Sequence, residues 1–451
     1  MTGRNIICIS ASEWGGNYAK TIVEISKELS TRNKLLYVDY PFTYKDLVQF
    51  IFKGDFQSVL RVTGFRSRLK KIGQAEDSEL YLYVPPLLFP VNFLSNGWLY
   101  RSLLKLNGLR LSVAVNKVLR DLDMTKDLIH INAFMPSLGE VTAKRFKEKT
   151  LLYYCYDEIN AAKWLKKHGG RHEMNLMRIS DGVITTSEGL FSRKKLLAKR
   201  CFLIKNAVNF SLFAKGKYDR IQNKTKIIGY IGSIDERLDY ELLEFLFKQF
   251  SDYTFEFVGR CNFSAGEKVL KKYDNVVMYG PKSVEELPAF VSRFSVGIIP
   301  FAKSDFNKGI YPLKINEYLA GGLPVVMTSF AVLDEFREVA DIAEDQYEFG
   351  KLLFQVLQSD SYEKQNIRIA FASGNSWKQR AIEFSNMISV IENEYNKNFI
   401  IIRICFKYFY LKKVIMNNRN YRQNKKSLLE IAVIIFIFMI ISLLYIKILF
   451  I

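Results

Sequence analysis

The run Pro300-Phe-Ala-Lys-Ser-Asp-Phe-Asn-Lys-Gly-Ile-Tyr-Pro-Leu-Lys-Ile-Asn-Glu-Tyr-Leu-Ala-Gly-Gly-Leu-Pro-Val-Val326 decides how the rest of the chain is read. An apolar strand, Val296–Ile299, leads into it. A polar loop follows, and Pro312 then falls near a first helical turn, where proline is tolerated. Leu313–Ala320 reads as helix, Gly321-Gly322 ends it, and Pro324–Val326 starts another strand. Strand, loop, helix and strand in that order form the repeating unit of a parallel sheet. The free N–H groups at the helix start make an anion site, worth about 0.3–1 kcal/mol per charge and up to about 2 kcal/mol when partly buried. Lys314 can add a cation there, and Glu317 a carboxylate suited to ribose hydroxyls.

The same alternation runs outward through the first 390 residues or so. Strands are expected at Ile6–Ile9, Leu35–Val38, Leu80–Val84, Leu128–Ile131, Leu151–Tyr154, Gly182–Thr185, Cys201–Ile204, Ile227–Ile231, Thr254–Val258, Val276–Met278, Val296–Ile299 and Pro324–Val326. Helical patterns between them include Tyr18–Leu29, Arg101–Leu122, Glu140–Lys147, Asp239–Gln249, Ala265–Tyr273, Val284–Arg293 and Leu313–Ala320. Twelve strands exceed one sheet here, so the expected class is α/β with two doubly wound domains facing a cleft. Lys215–Lys226 is the expected linker, giving domains at 1–214 and 227–396. Ligands of open parallel sheets sit beyond the carboxyl ends of the strands, so the chemistry is sought in post-strand loops.

Three further loops qualify. Ile227-Ile-Gly-Tyr-Ile-Gly-Ser-Ile-Asp-Glu-Arg-Leu-Asp239 places Gly232 and Ser233 where backbone N–H groups can approach phosphate, with Arg237 able to pair with it bidentately. Ser10-Ala-Ser-Glu-Trp-Gly-Gly16 brings Gly15 and Gly16 after the first strand but lacks the dinucleotide GxGxxG pattern. Tyr153-Tyr-Cys-Tyr-Asp-Glu158 puts Asp157 and Glu158 at the cleft as a base or a holder of a sugar hydroxyl, with a helix cap as the plain alternative for Asp157. Asp121-Leu-Asp123 resembles a metal motif but closes a helix and reads as surface. His172 and Glu173 read as the polar face of a helix, and His130 as an edge residue. The basic stretch Arg61–Lys71 fits a solvated face or an anionic partner.

Composition narrows the classes further. The chain has 451 residues, 49% hydrophobic and 25% charged, which fits two or three globular units rather than a disordered chain. Five dispersed cysteines and three histidines argue against a disulfide framework or a multi-histidine metal centre. The net charge is +19, which calls for an anionic partner. Nine of those charges fall after Asn396: ten basic residues from Lys397 onward against Glu430 alone. The basic segment 397–427 is expected to lie on an anionic membrane surface. Leu428–Ile451 would span about 36 Å as a helix, against a hydrocarbon core of roughly 30 Å. The expectation is therefore a cell-membrane protein with a single C-terminal transmembrane segment, its body on the cytoplasmic side, with no signal peptide and no nucleic-acid partner.

At these residues the chain resembles a GT-B glycosyltransferase of the family 4 type, and within it the enzymes of teichuronic-acid and related bacterial surface-polysaccharide synthesis. The resemblance rests on the Gly-Gly loop, Tyr154–Glu158, Ser180–Leu190 (SDGVITTSEGL), Lys205–Phe213 (KNAVNFSLF), Ile228–Asp239 and above all Pro312–Val326. Ser376-Trp377 and the following helix resemble the family's closing helix. The resemblance implies transfer of a sugar from a nucleotide-diphosphate donor, UDP-linked, to a lipid-linked or polymeric acceptor, with retained configuration and no cofactor or tightly bound metal. It also implies that Glu317 holds the ribose, Lys314 and Arg237 face the diphosphate, Asp157 lies near the reacting sugar, and Gly15 and Gly16 admit acceptor or phosphate. Two departures stand out: Gly309 replaces a glutamate usual eight residues before the ribose carboxylate, and Asn206-Ala-Val-Asn209 replaces an NGVD segment. The competing readings are a sugar-nucleotide epimerase of the same architecture and a catalytically silent module.

Overall fold

The computed structural model describes residues 1–15, 20–73, 78–159, 165–214 and 225–394. The chain divides into two compact units, Met1–Ser385 and Asn386–Ile451. Both sheets belong to the first; the described residues of the second, 386–394, are helical.

The first lobe is built on β1 (Asn5–Ser10), β2 (Lys34–Val38), β3 (Leu69–Lys71), β4 (Leu80–Tyr83), β5 (Ile129–Ala133), β6 (Thr150–Cys155), β7 (Gly182–Thr185) and β8 (Cys201–Leu203), in the order β3-β4-β2-β1-β5-β6-β7-β8. All pairings are parallel except β3 with β4. The second lobe has β9 (Ile227–Ile231), β10 (Thr254–Val258), β11 (Val276–Met278), β12 (Val296–Ile299), β13 (Val325–Thr328) and β14 (Asp341–Ala343), in the order β11-β10-β9-β12-β13-β14, all parallel. The fold is thus α/β with two doubly wound sheets.

The central strands are apolar on both faces because helices cover both sides. Ile6, Ile7, Cys8 and Ile9 have no exposed surface, nor do Leu151, Leu152 and Tyr153. The fourteen strands among the described residues include the twelve expected; β3 and β14 are three-residue edge strands in which Lys or Asp interrupts the apolar signal. Helix positions held less well. The expected Glu140–Lys147 helix is Pro136–Thr142, started by a proline in its first turn. Amphipathic helices Gln346–Ser359 and Tyr362–Gly374, absent from the sequence reading, are capped by the side chains of Asp345 and Ser361. Val208 and Phe213 bury into the second lobe's core beside Ile228 and Phe257 although both precede β9. Val208 N also bonds Asn375 O at 3.0 Å, so this segment stitches the lobes together.

Among the described residues no helix is long and apolar enough to cross a membrane. The long helix Trp98–Asp121 carries Arg101, Lys105, Arg110, Lys117 and Arg120. The expected cell-membrane localisation through a single C-terminal transmembrane segment is corrected on this finding. The segments it named, 397–427 and 428–451, lie outside the described residues, as do Gly16 and linker positions 215–224.

Candidate functional site

Each sheet reverses its strand order at one point: β1 lies between β2 and β5, and β9 between β10 and β12. Crevices open at such points beyond the carboxyl ends of the strands. A cavity of about 320 Å³ lies there, lined by Tyr156, Asp157 and Asn206 from the first-lobe sequence and by Gly232, Arg237, Lys314 and Glu317 from the second.

The second-lobe wall is set by close approach. Gly232 adopts φ 127°, and a Cβ there would lie 2.9 Å from Lys314 Nζ. Only glycine gives both the backbone angle and the room. Lys314 sits in the first turn of helix Leu313–Ala320, whose start at Pro312 has no side-chain cap, so its N–H groups remain open to an anion. Lys314 Nζ donates to Tyr230 Oη at 2.8 Å and lies 4.0 Å from the Tyr230 ring centre and 4.6 Å from that of Phe301. Burial, reinforced by the Arg237 charge, pulls its pKa well below the usual lysine value. An arriving anion would push it back up. Arg237 is held by Asp235 through Nε (2.8 Å) and Nη2 (2.6 Å), which keeps its pKa raised despite burial.

Glu317 follows one turn after Lys314. Burial raises its pKa to about 7 against the pull of Lys314, and its carboxylate makes no hydrogen bond among the described residues. It also borders a smaller cavity, about 120 Å³, with Trp14, Lys20 and Glu24. A carboxylate that faces a cavity with no protein donor is matched to a ligand presenting two hydroxyls.

Opposite these groups, Asp157 sits in the loop after β6 and lines the cavity. Its Oδ1 accepts from Glu158 N at 2.8 Å, and burial raises its pKa, with Arg237 opposing. Glu158 turns elsewhere, to Arg193 at 3.2 Å and Lys194 at 3.4 Å. Lys194 is itself buried against Glu173 at 2.7 Å. The structure therefore gives the two acids different places: Asp157 at the cavity, Glu158 in an ion-pair network behind it. Ser233 lines the cavity; Gly15 is exposed and its carbonyl accepts from Lys20 Nζ.

The remaining singled-out residues are accounted for structurally. His172 bridges Glu140 (2.6 Å) and Tyr100 (2.8 Å). His130 is not at an edge: it lies in β5, fully buried between β1 and β6, 3.6 Å from Glu148. In the basic stretch, Arg61 pairs with buried Asp39, and Arg68 donates to the carbonyls of Val62, Val84 and Pro85. Gly309 does not line the cavity. Its carbonyl accepts from Ser187 Oγ at 2.6 Å, and a Cβ on neighbouring Gly189 would overlap Lys308 O. Asn206 reaches across too, donating to Tyr311 O at 2.8 Å and accepting from Thr21 at 2.9 Å. The sequence reading gave Asn206 no more than a structural place and did not single out Tyr156, Phe301 or Tyr311. The order of motifs located their segments, but nothing in their residue types marked them as lining a cavity.

Two facing doubly wound domains with a cavity at their switch points define the GT-B architecture. Solved structures share it across most of the chain. The trehalose-6-phosphate synthase of Burkholderia multivorans superposes with TM-score 0.60 at 10% identity, covering 87% of this chain and 100% of that one. HepE of Anabaena, solved with UDP and glucose, gives 0.55 at 14% identity, covering 86% and 99%. In sequence, the chain is 32% identical over 168 residues to TuaH of Bacillus subtilis, a protein assigned to teichuronic acid biosynthesis as a glycosyltransferase. That match covers 35% of this chain and 42% of TuaH, so the chain spans less than half of that relative. No protein-family model matches the chain.

Proposed function

We propose that this protein is a glycosyltransferase that moves a sugar from a UDP-linked donor to a lipid-linked or polymeric acceptor in cell-surface polysaccharide synthesis. The observation that carries the reading is the cavity where Lys314, Arg237, Glu317 and an open helix start face Asp157 from the other lobe. UDP and glucose in HepE, and the teichuronic-acid assignment of TuaH, support the donor class and the pathway class. Glu317 accepts from the ribose hydroxyls. The helix N-terminus and Lys314 take the diphosphate, with Arg237 beside it. In the transfer step the acceptor hydroxyl oxygen bonds to the anomeric carbon while that carbon's bond to the diphosphate breaks. The diphosphate leaves with the electron pair and the hydroxyl proton passes to Asp157. Acceptor entry on the face the diphosphate vacates retains the configuration. Two cations and the helix dipole supply the positive charge a leaving diphosphate needs, so the reading invokes no resident metal.

The test is incubation of the purified chain with labelled UDP-sugars and both acceptor types. Label in the acceptor, with stoichiometric UDP release, is the expected result. An altered donor sugar without transfer would instead mark an epimerase, and UDP binding without turnover a silent module.

A further inference from the structure

Asp157 and Glu158 are adjacent, yet only Asp157 lines the donor cavity. A short helix of the first lobe, Glu188–Lys194, stands behind this difference. It starts against the second lobe. Ser187 caps it, accepting from Leu190 N at 3.2 Å while donating to Gly309 O at 2.6 Å. Arg193 Nη2 stands 2.9 Å from where a Cβ on Gly309 would lie. Further along, Leu190 packs with Tyr153 and Cys155 of β6. Lys194 falls in the last turn, where the helix dipole favours a cation. It is buried, and its Nζ donates to Glu173 Oε2 at 2.7 Å and to Glu158 Oε1 at 3.4 Å.

Lys194 keeps its charge. Burial opposes it, but Cys155, Glu173 and Glu158 around it still raise its pKa, the reverse of Lys314 in the cavity. Glu173 also accepts from Tyr153 Oη at 3.0 Å. Glu158 is thereby pinned between Lys194 and Arg193, the latter at 3.2 Å. Fixing that side chain fixes its own amide, and Asp157 Oδ1 accepts from this N–H at 2.8 Å. The Cys155 thiol lies 3.4 Å from Asp157 O. Among the described residues, the charges bearing on Asp157 are Arg237 from the loop after β9 and Glu158 from its own loop. Behind Glu158 stand Arg193, Lys194 and, on helix Gly169–Ile179, Glu173. Two cations and two carboxylates balance in that group, so Glu158 presents little net charge to Asp157.

We propose that helix Glu188–Lys194 is a positioning strut: seated on the second lobe at its start, it holds Glu158 back with Lys194 at its end and so presents Asp157 to the cavity. The proposal rests on the transferase reading and adds to it residues that touch neither donor nor acceptor. Its test follows the Asp157 carboxyl by NMR in protein labelled with carboxyl-13C aspartate, the resonance being the one lost in Asp157→Asn. Lys194→Met uncovers the Glu158 charge and loosens its amide, and should move the Asp157 titration to higher pH. Glu158→Gln removes the charge and keeps the amide, and should move it to lower pH. Ser187→Ala, which frees the helix from Gly309, should act in the same direction as Lys194→Met. In the transfer assay the acid limb of kcat should follow. On that limb Lys194→Met should lower kcat about tenfold, a part of what a general base contributes, with UDP affinity unchanged. Removing both charges of a buried pair is tolerated better than removing one, so Lys194→Met/Glu173→Gln carries the same expectation if the single variant fails to fold. Shifts of the same sign in Lys194→Met and Glu158→Gln, or no shift in either, would overturn the proposal. An unmoved titration in Ser187→Ala would overturn the part assigned to the second lobe. Absence of transfer in the wild type would refute the transferase reading, and the titration, which needs no turnover, would still decide what places Asp157.

Discussion

Glu317→Gln should weaken nucleotide binding while stabilising the free protein. Glu317 is buried and without a hydrogen-bond donor, and its pKa stands at about 7 against 4.5 in an exposed glutamate. Because the folded value is the higher one, ionisation opposes folding. The penalty is absent below about pH 4.5, grows through neutrality and is complete above pH 7, where the shift corresponds to roughly 3 kcal/mol. An uncharged amide removes that penalty, so the variant should melt several degrees higher at pH 8 and gain nothing at pH 4. Binding moves the other way. A hydrogen bond to a charged group is worth about 1.5–3 kcal/mol, and the ribose offers two hydroxyls. A net loss of about 3 kcal/mol corresponds to a Kd for UDP raised about 150-fold. Calorimetric titration with UDP and thermal melts at the two pH values read both signs. A variant that binds UDP as well as wild type, or that melts lower at pH 8, would refute the reasoning.

Lys314 should take up a proton when UDP binds at alkaline pH, because its pKa is depressed in the free site and rises beside a diphosphate. Titrations in buffers of different ionisation enthalpy should show that uptake in wild type and not in Lys314→Met. Asp157→Asn should lower turnover about 100-fold or more, the size of a lost general base, with UDP affinity unchanged; an equal loss of UDP affinity would place Asp157 in binding instead. Gly189→Ala should drive the lobes apart, since its methyl group would overlap Lys308 O. The readouts are a larger radius of gyration in solution scattering and lower transfer activity, and an unchanged radius would count against the contact.

The parallel sheets were legible because strands buried on both faces become nearly uninterrupted apolar runs, as in Ile6–Ile9 and Val296–Ile299. Strands β3 and β14 were not, because a three-residue edge strand containing Lys70 and Lys71 or Asp341 has no such run. The second-lobe wall of the cavity was legible for a related reason. Gly232, Arg237, Lys314 and Glu317 stand in short strand-to-helix turns, and sequence distance there is spatial distance. The opposing side was not: Asn206 and Tyr156 reach the cavity through the docking of one lobe on the other, which no local pattern encodes. The two acids after β6 show the limit most sharply. Asp157 and Glu158 are neighbours of the same chemistry, and only the placement of Arg193 and Lys194 decides which faces the cavity.

That division of labour between lobes has a consequence for fidelity. In the transferase reading the leaving group's cations belong to one sheet and the candidate base to the other, and bonds such as Ser187–Gly309 and Asn206–Tyr311 span the two. In the transferase reading, a donor seated on the second lobe alone meets no base, and it stays inert toward stray water until the first lobe arrives. The same few bonds must part to let spent nucleotide out. In that reading each turnover requires the two lobes to part and rejoin.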